Sequence, residues 1–372
     1  MAGGRFDRLN GSRPARRVKS ALRARYPERA EQLKVAVNAA RRALREPPAP
    51  RVGDDNLFWD PPARNVELRP LRAGEVSDAL HARLDESDID TMLGRLDEVD
   101  QARWRDADES GRRMLALHFC VHYGVPGVLE KTGLSDAEPP PDVTSLARGS
   151  LAAGGSFGYA DIVADSLREA GAPLAPGQRV LDFGCSSGRI TRVLATVHPD
   201  IEWHGCDVDR GAVEWAAATF PDVRFFTSDH DPPLPFPDAH LDSVFAISIW
   251  THFSEQAALR WFGEMHRILR PGGHLLLTTI GNRSVEVHAS DWGNWPRRRI
   301  AELATSLYTD GFYFAGGYGK DLAHATASDD WGQAFFTPEW LAQELCPPWA
   351  IKLFEVGRVE AHSDLYVLER GG

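Results

Sequence analysis

An α/β fold is what this sequence predicts: a mostly parallel sheet with helices on both faces and an antiparallel C-terminal edge, preceded by a helical N-terminal region. Three observations carry that expectation. From about residue 156 onward, strand-type and helix-type segments alternate regularly, as crossover units do. The runs Val244-Phe-Ala-Ile-Ser-Ile249 and His274-Leu-Leu-Leu-Thr-Thr-Ile280 are too uniformly apolar for half-exposed strands and fit the buried centre of a sheet. The last two apolar segments, 351–357 and 364–370, are joined by a short connection and read as an antiparallel edge.

The elements follow in order. From Pro14 to Arg45 the pattern is helical, with Val18, Leu22, Leu33, Val37 and Leu44 among arginines and a break at Pro27. Glu46-Pro-Pro-Ala-Pro50 and Asp60-Pro-Pro62 mark a linker, so 1–62 reads as a basic helical arm with a Pro-rich tail. Residues 66–134 are again helical in pattern, carried by Leu80, Leu84, Ile89, Met92 and Leu93, then Met114, Leu115, Leu117 and Phe119. With the break at Glu138-Pro-Pro-Pro-Asp142, residues 63–150 are expected to form a small helical domain and linker. His118 and His122 stand at i, i+4, the spacing of two metal ligands on one helix face, but no Glu accompanies them and no third ligand lies nearby. Packed histidines are the plainer reading, and no metal is expected.

Residues 151–372 form the expected α/β domain. A helix from Tyr159 to Ala170 leads into strand 179–184, helix 187–197, strand 202–208, helix 210–219, strand 223–228, strand 241–249, helix 254–269 and strand 273–280. In helix 254–269 the local signals agree: Ser254 is placed to cap, Ala258, Trp261, Phe262, Met265 and Leu269 form one stripe, and Pro271-Gly-Gly273 is expected to end it. Residues 282–336 hold Trp292, Trp295, Tyr308, Phe312, Tyr313, Phe314 and Tyr318 among many glycines, and read as a loop-rich lid over the carboxyl end of the sheet.

The bulk numbers narrow the setting. Residues 1–50 contain 13 Lys+Arg against 4 Asp+Glu, so with −11 overall the remainder carries −20. An acidic body argues against general nucleic-acid binding, which wants a basic face. The arm suits an anionic membrane surface or an acidic partner, and equally a solvated helix pair. Cys120, Cys185, Cys206 and Cys346 are widely spread, which speaks against a disulfide framework and for a reducing, cytoplasmic setting.

Chemistry concentrates at 179–188, Arg-Val-Leu-Asp-Phe-Gly-Cys-Ser-Ser-Gly, a strand running into a carboxylate and a loop of small residues that opens a helix. Such a loop lets a ligand approach backbone N–H groups at the carboxyl edge of a sheet. A dinucleotide fold would want G-x-G-x-x-G, and here Gly184 and Gly188 enclose Ser186 instead. The same five residues match the G-x-S-x-G nucleophile elbow of serine hydrolases, with His362 following late, although helical and linker-like chain stands where preceding strands would be expected. A third reading takes Asp182, Asp207 and Asp229 together, three strand-terminal carboxylates lining one crevice for a ligand with a positive charge, a ribose diol and an exocyclic amine.

These residues carry a resemblance. The chain from about 156 to 281 resembles the class I S-adenosylmethionine-dependent methyltransferases, whose fold is Rossmann-like. The first motif is matched by Val180-Leu-Asp-Phe-Gly-Cys-Ser-Ser-Gly188, with Ser186 for the usual middle glycine; the ribose motif by Gly205-Cys-Asp-Val-Asp209; the adenine-side motif by Ser228-Asp-His230; and a turn by Leu234-Pro-Phe-Pro-Asp238. Thr251-His252 after the fourth strand, Glu264 to Gly273, and the closing His362-Ser-Asp-Leu-Tyr-Val-Leu368 are similar to a subgroup acting on sugars, glycans or secondary metabolites.

The resemblance implies S-adenosylmethionine as methyl donor. Asp182, Gly184, Ser186 and Gly188 would shape the loop under its methionine part, with backbone N–H groups near the carboxylate. Asp207, followed by Val208, would accept the ribose hydroxyls, Asp229 the adenine amine, and the His230 backbone would meet the ring; Ser248 completes the set. His252 would serve as base or orient the acceptor, with His288 and Asp291 as weaker candidates. The expected acceptor is a small molecule or glycan hydroxyl; N-methylation and a non-catalytic donor-binding scaffold are the alternatives.

Overall fold

The computed structural model describes residues 72–140, 143, 156–289, 297–316, 330–360 and 362–372. The basic arm, the first linker, Asp291, Trp292, Trp295 and Tyr318 lie outside the described residues. The helices are α1 (Glu75–His81), α2 (Glu86–Leu93), α3 (Glu98–Asp106), α4 (Glu109–His122), α5 (Val128–Thr132), α6 (Ser156–Glu169), α7 (Thr191–Val197), α8 (Arg210–Thr219), α9 (Glu255–Ile268), α10 (Asn282–Ala289), α11 (Arg297–Asp310) and α12 (Pro338–Leu345). The strands are β1 (Arg179–Phe183), β2 (Glu202–Asp207), β3 (Arg224–Thr227), β4 (Leu241–Ala246), β5 (Leu269–Thr279), β6 (Phe312–Gly316), β7 (Gly332–Phe336), β8 (Trp349–Val359) and β9 (Ser363–Arg370).

Seven strands form one sheet in the order β3-β2-β1-β4-β5-β9-β8. β1 to β5 are parallel, β9 runs antiparallel to β5 and β8 antiparallel to β9, so the C-terminal edge is the expected hairpin. Because successive side chains on a strand point to opposite faces, the apolar runs feed two layers. Val180, Phe245, Leu276, Leu365 and Val367 face one cluster with Phe157, Val163 and Leu167 of α6, Val193 of α7, Val76 and Leu80 of α1, and Met114 and Leu117 of α4. Leu181, Phe183, Val244, Leu275, Leu277, Tyr366 and Leu368 face the other, with α9 and α12.

In α9 the expected stripe is buried: Ala258, Trp261, Phe262 and Met265 all enter that second cluster. Covering each of the three large side chains contributes roughly 1.5–3 kcal/mol. Ser254 caps the helix, its Oγ accepting from the Ala257 N–H at 3.2 Å. The helix stops sooner than Pro271-Gly-Gly273 suggests. Leu269 is already a strand residue paired with Leu241, and the Pro-Gly-Gly segment forms an irregularity before pairing resumes at Ser243 and His274. Burial of Leu269 in the sheet outweighs one more helical turn, and Gly272, with φ +72°, allows the bend.

Two boundaries move for a similar backbone reason. The helix expected from 187 begins at Thr191, because Gly188 holds φ +73° and cannot be helical. The strand expected to reach 249 ends at Ala246, because Ser248 holds φ +59°. Among its described residues the insertion is not loop-rich: it contains α10, α11 and the β6–β7 hairpin. Phe312 stacks on Phe336 (centroids 5.9 Å apart, planes 6° apart) and meets Trp340 at 4.8 Å, so these aromatics anchor the insertion to the core. The many glycines hid this; Gly311, at φ +68°, serves the turn between α11 and β6.

The histidine pair at 118 and 122 lies on α4 with rings stacked 6.0 Å apart, and burial lowers the pKa of His118. Among the described residues no group of three or more His, Cys, Asp or Glu is placed to hold a metal ion. No helix among them is long and apolar enough to cross a membrane.

Candidate functional site

β1 lies between β2 and β4, so the chain leaves it first toward one edge of the sheet and later toward the other. Loops diverge at such a switch point and leave a crevice outside the carboxyl ends of the strands. Four connections meet there: 184–190 after β1, 208–209 after β2, 228–230 after β3 and 247–254 after β4.

The loop after β1 is shaped by close approach. Gly184 has φ +87°, and a Cβ there would stand 2.0 Å from Cδ1 of Ile249. Gly188 has φ +73°, and its Cβ would meet Cζ of Phe225 at 2.6 Å; at Gly205 on β2 the same ring is 2.6 Å away. Ser186 departs from glycine in type but not in backbone, holding φ +49°. Strain of roughly 1–2 kcal/mol for a non-glycine residue there is opposed by its own N–H, which donates to Oδ2 of Asp207 at 2.8 Å. The amides of Gly184 and Gly188 do not stay open to a ligand. Gly184 and Cys185 both donate to the Cys206 carbonyl (2.8 and 3.0 Å), and Gly188 donates to that of Cys185 (2.9 Å), so these groups hold the loop itself together.

Nor do the three carboxylates line one crevice. Asp182 shares a strand face with Val180, turned toward α7, where its Oδ2 accepts from the Thr191 hydroxyl. At 3% exposure it is sealed under the loop, and burial, with the Asp207 charge adding, pushes its pKa up to about 7 against the opposing Thr191 bond. Asp207 sits at the end of β2, 8% exposed, its Oδ1 accepting from the Asp209 N–H at 2.9 Å and its Oδ2 from Ser186. Burial raises its pKa, and those backbone donors work against the rise. Asp229 and His230 are exposed beyond β3, on a loop tied back by the Ser228 N–H to the Asp207 carbonyl at 2.9 Å. Val208 is half-buried between Asp207 and Asp209, the cap of α8. Asp207 and Asp229 therefore share one rim, and Asp182 supports it from beneath.

Across the crevice, the Ser248 N–H donates to Oγ1 of Thr278 at 2.7 Å, fixing the bend after β4. His252 is half-buried; its Nδ1 is 2.9 Å from the Gly332 carbonyl, and its ring stacks on Trp331 with centroids 4.7 Å apart. A carbonyl only accepts, so Nδ1 carries the proton and Nε2 the lone pair. Burial lowers the pKa below the ordinary 6.5, with the Gly332 bond pulling the other way. His288 lies on α10, away from this arrangement in sequence and among residues whose side chains are outside the description.

Sequence reasoning missed Ile249, Thr278, Trp331 and Gly332. Ile249 stood in an apolar run read as strand; Thr278 lay inside a strand; Trp331 and Gly332 lay in a segment read as loop, 80 residues from the histidine they hold. β1 is the first strand of the sheet among the described residues, so the half-sheet that precedes a nucleophile elbow is absent among them.

Residues 180–273 match the family described as methyltransferase domain. The chain is similar to malonyl-[acyl-carrier protein] O-methyltransferase of Hahella chejuensis, 30% identical over 182 residues, covering 44% of this chain and 63% of that protein. It is also similar to a probable tRNA methyltransferase 9B of Bos taurus (34% over 103 residues, 27% of this chain and 21% of that one). A third relative is the O-methyltransferase cnsE of Penicillium expansum (31% over 130 residues, 32% and 46%). The chain thus spans less than two thirds of the length of each. The strand order and the switch-point loop agree with this match, which places a methyltransferase domain at residues 180–273.

Proposed function

We propose that this chain transfers a methyl group from S-adenosylmethionine to a hydroxyl oxygen of a sugar, glycan or secondary metabolite. The observation that carries the donor assignment is Asp207: a carboxylate at the end of β2 that accepts the Asp209 N–H on one oxygen and the Ser186 N–H on the other, with lone-pair capacity remaining for a ribose hydroxyl. Asp229 on the same rim suits the adenine amine and the His230 backbone the ring, while the 184–188 loop would lie under the methionine part. The donor set therefore fits this cofactor.

When bound, the cofactor supplies a sulfonium methyl whose leaving group is already activated. The chain's own task is alignment and, for a hydroxyl acceptor, removal of a proton. His252 is suited to that: the Gly332 bond holds the Nδ1–H tautomer, and the depressed pKa keeps the ring neutral at pH 7, so Nε2 can accept the acceptor's proton. The names of two relatives, both O-methyltransferases, support oxygen as the methylated atom. The net −20 of residues 51–372 disfavours a polyanionic nucleic-acid acceptor. In this reading the protein works in the cytoplasm, and the basic arm meets an anionic surface or an acidic partner.

Calorimetric titration with S-adenosylmethionine, followed by incubation of labelled donor with fractionated cell extract, tests the proposal. Binding with transfer to a base-stable, hydroxyl-bearing product supports it. Binding without transfer to any fraction would favour the scaffold alternative, and absence of binding would sink the whole reading.

A further inference from the structure

The far end of the insertion returns to the loop that carries His252, and three backbone–backbone hydrogen bonds and one from the His252 ring join them. Ser254 N–H donates to the Asp330 carbonyl, Gly332 N–H to that of His252, and Ala334 N–H to that of Thr251, each at 2.8 Å; the His252 Nδ1–H bond to Gly332 completes the set. Trp331, between them, stacks on His252 and meets Phe253 edge-on at 5.6 Å. Residues 330–334 thus orient the ring of His252.

A side chain of α9 ties this segment to its surroundings. Arg260, on the second turn of α9, donates through one terminal nitrogen to Oδ1 of Asp231 (2.7 Å) and Oδ2 of Asp330 (2.9 Å), and through Nε to Asp231 again at 3.1 Å. Asp330 in turn accepts from the Ser254 hydroxyl through Oδ1 at 2.5 Å. Asp231 stands two residues beyond Asp229, on the donor-side loop. Arg260 thus ties three pieces together: the loop of the adenine-side motif, the start of α9 and the return of the insertion.

We propose that Arg260 is a positioning residue for His252: by clamping Asp330 to Asp231 it keeps residues 330–334 seated on 251–254, and so fixes the plane and tautomer of the imidazole. The functional weight of this rests on the reading of His252 as the base. A guanidinium is needed because its planar fork reaches two carboxylates from fixed directions, which a lysine ammonium does with less constraint. Ion pairs this exposed contribute little to global stability. The loss is therefore read at the ring and not in the melting curve.

The test compares wild type, Arg260→Ala and Arg260→Lys in protein labelled with 15N at histidine rings, the His252 signals being assigned by their disappearance in His252→Gln. Wild type shows two well separated ring-nitrogen resonances with the proton on Nδ1. In Arg260→Ala they collapse toward a tautomer-averaged shift, Arg260→Lys lies between, and the melting temperature stays at the wild-type value. Unchanged His252 resonances in Arg260→Ala overturn the proposal. If that variant does not fold, Asp330→Asn releases the same clamp from the other side, and unchanged resonances there overturn it equally. Failure of wild type to bind S-adenosylmethionine defeats the functional reading while leaving the ring measurement to decide the clamp.

Discussion

Asp182→Asn should remove a specific part of the pH dependence of stability. The carboxyl is sealed under the loop, and its pKa of about 7 when folded stands above the reference 3.8. A group raised on folding binds its proton more tightly in the native state. Its stabilising share is therefore complete below pH 3.8 and is lost as pH rises through about 7. A rise of about 3 pH units corresponds to about 4 kcal/mol, of which about 3 kcal/mol is lost between about pH 5 and pH 8. Asparagine keeps an oxygen to accept from Thr191 and has no charge to gain, so whatever its amide costs is the same at both pH values. Urea unfolding of wild type and variant at both pH values gives the slope directly. Asp161 and Asp364, each pushed up to about 6 by burial, add slope to both proteins and cancel in the difference. A variant that keeps the full wild-type loss of stability between the two pH values would refute the reasoning.

Asp207→Asn should weaken S-adenosylmethionine binding roughly ten- to hundredfold by calorimetry, through loss of a charged acceptor that also anchors Ser186 and Asp209; wild-type affinity would remove Asp207 from the donor site. Gly184→Ala puts a Cβ 2.0 Å from Ile249 Cδ1 at φ +87°. It should cost roughly 2 kcal/mol or more in denaturant unfolding, and an unchanged midpoint would contradict the described contact. His252→Gln should cut turnover while leaving donor affinity intact. In wild type the acid limb of kcat should fall below pH 6.5, because a depressed imidazole pKa leaves the base unprotonated above it; a limb above 6.5 would exclude His252 as its source.

The frame of the fold was readable because it depends on period. Alternating crossover units, the uniformly apolar β4 and β5, the Ser254 cap and the closing hairpin follow from residue type and spacing alone. The direction of Asp182 was available in principle: Leu181 and Phe183 face α9, so residues 180 and 182 must face the other way. The left-handed backbone at Ser186 and Ser248 was not, because serine carries no signal for positive φ. Nor was the setting of His252, whose partners Trp331 and Gly332 sit in a stretch where glycines masked a buried hairpin. Local periodicity says nothing about which loop a distant segment will cover.

The pairing of residues 330–334 with 251–254 also bears on the order in which the molecule becomes competent. Each βα unit of the donor half closes over a few tens of residues, whereas His252 meets Gly332 only by closing a span of 80. Longer closures carry a larger entropic cost and form later. The surroundings of the candidate base are thus the part of this crevice assembled last. Where that pairing relaxes, the candidate base loses its setting while the loops after β1 to β3 keep theirs. A partly relaxed molecule would then still grip its methyl donor while having lost the means to use it.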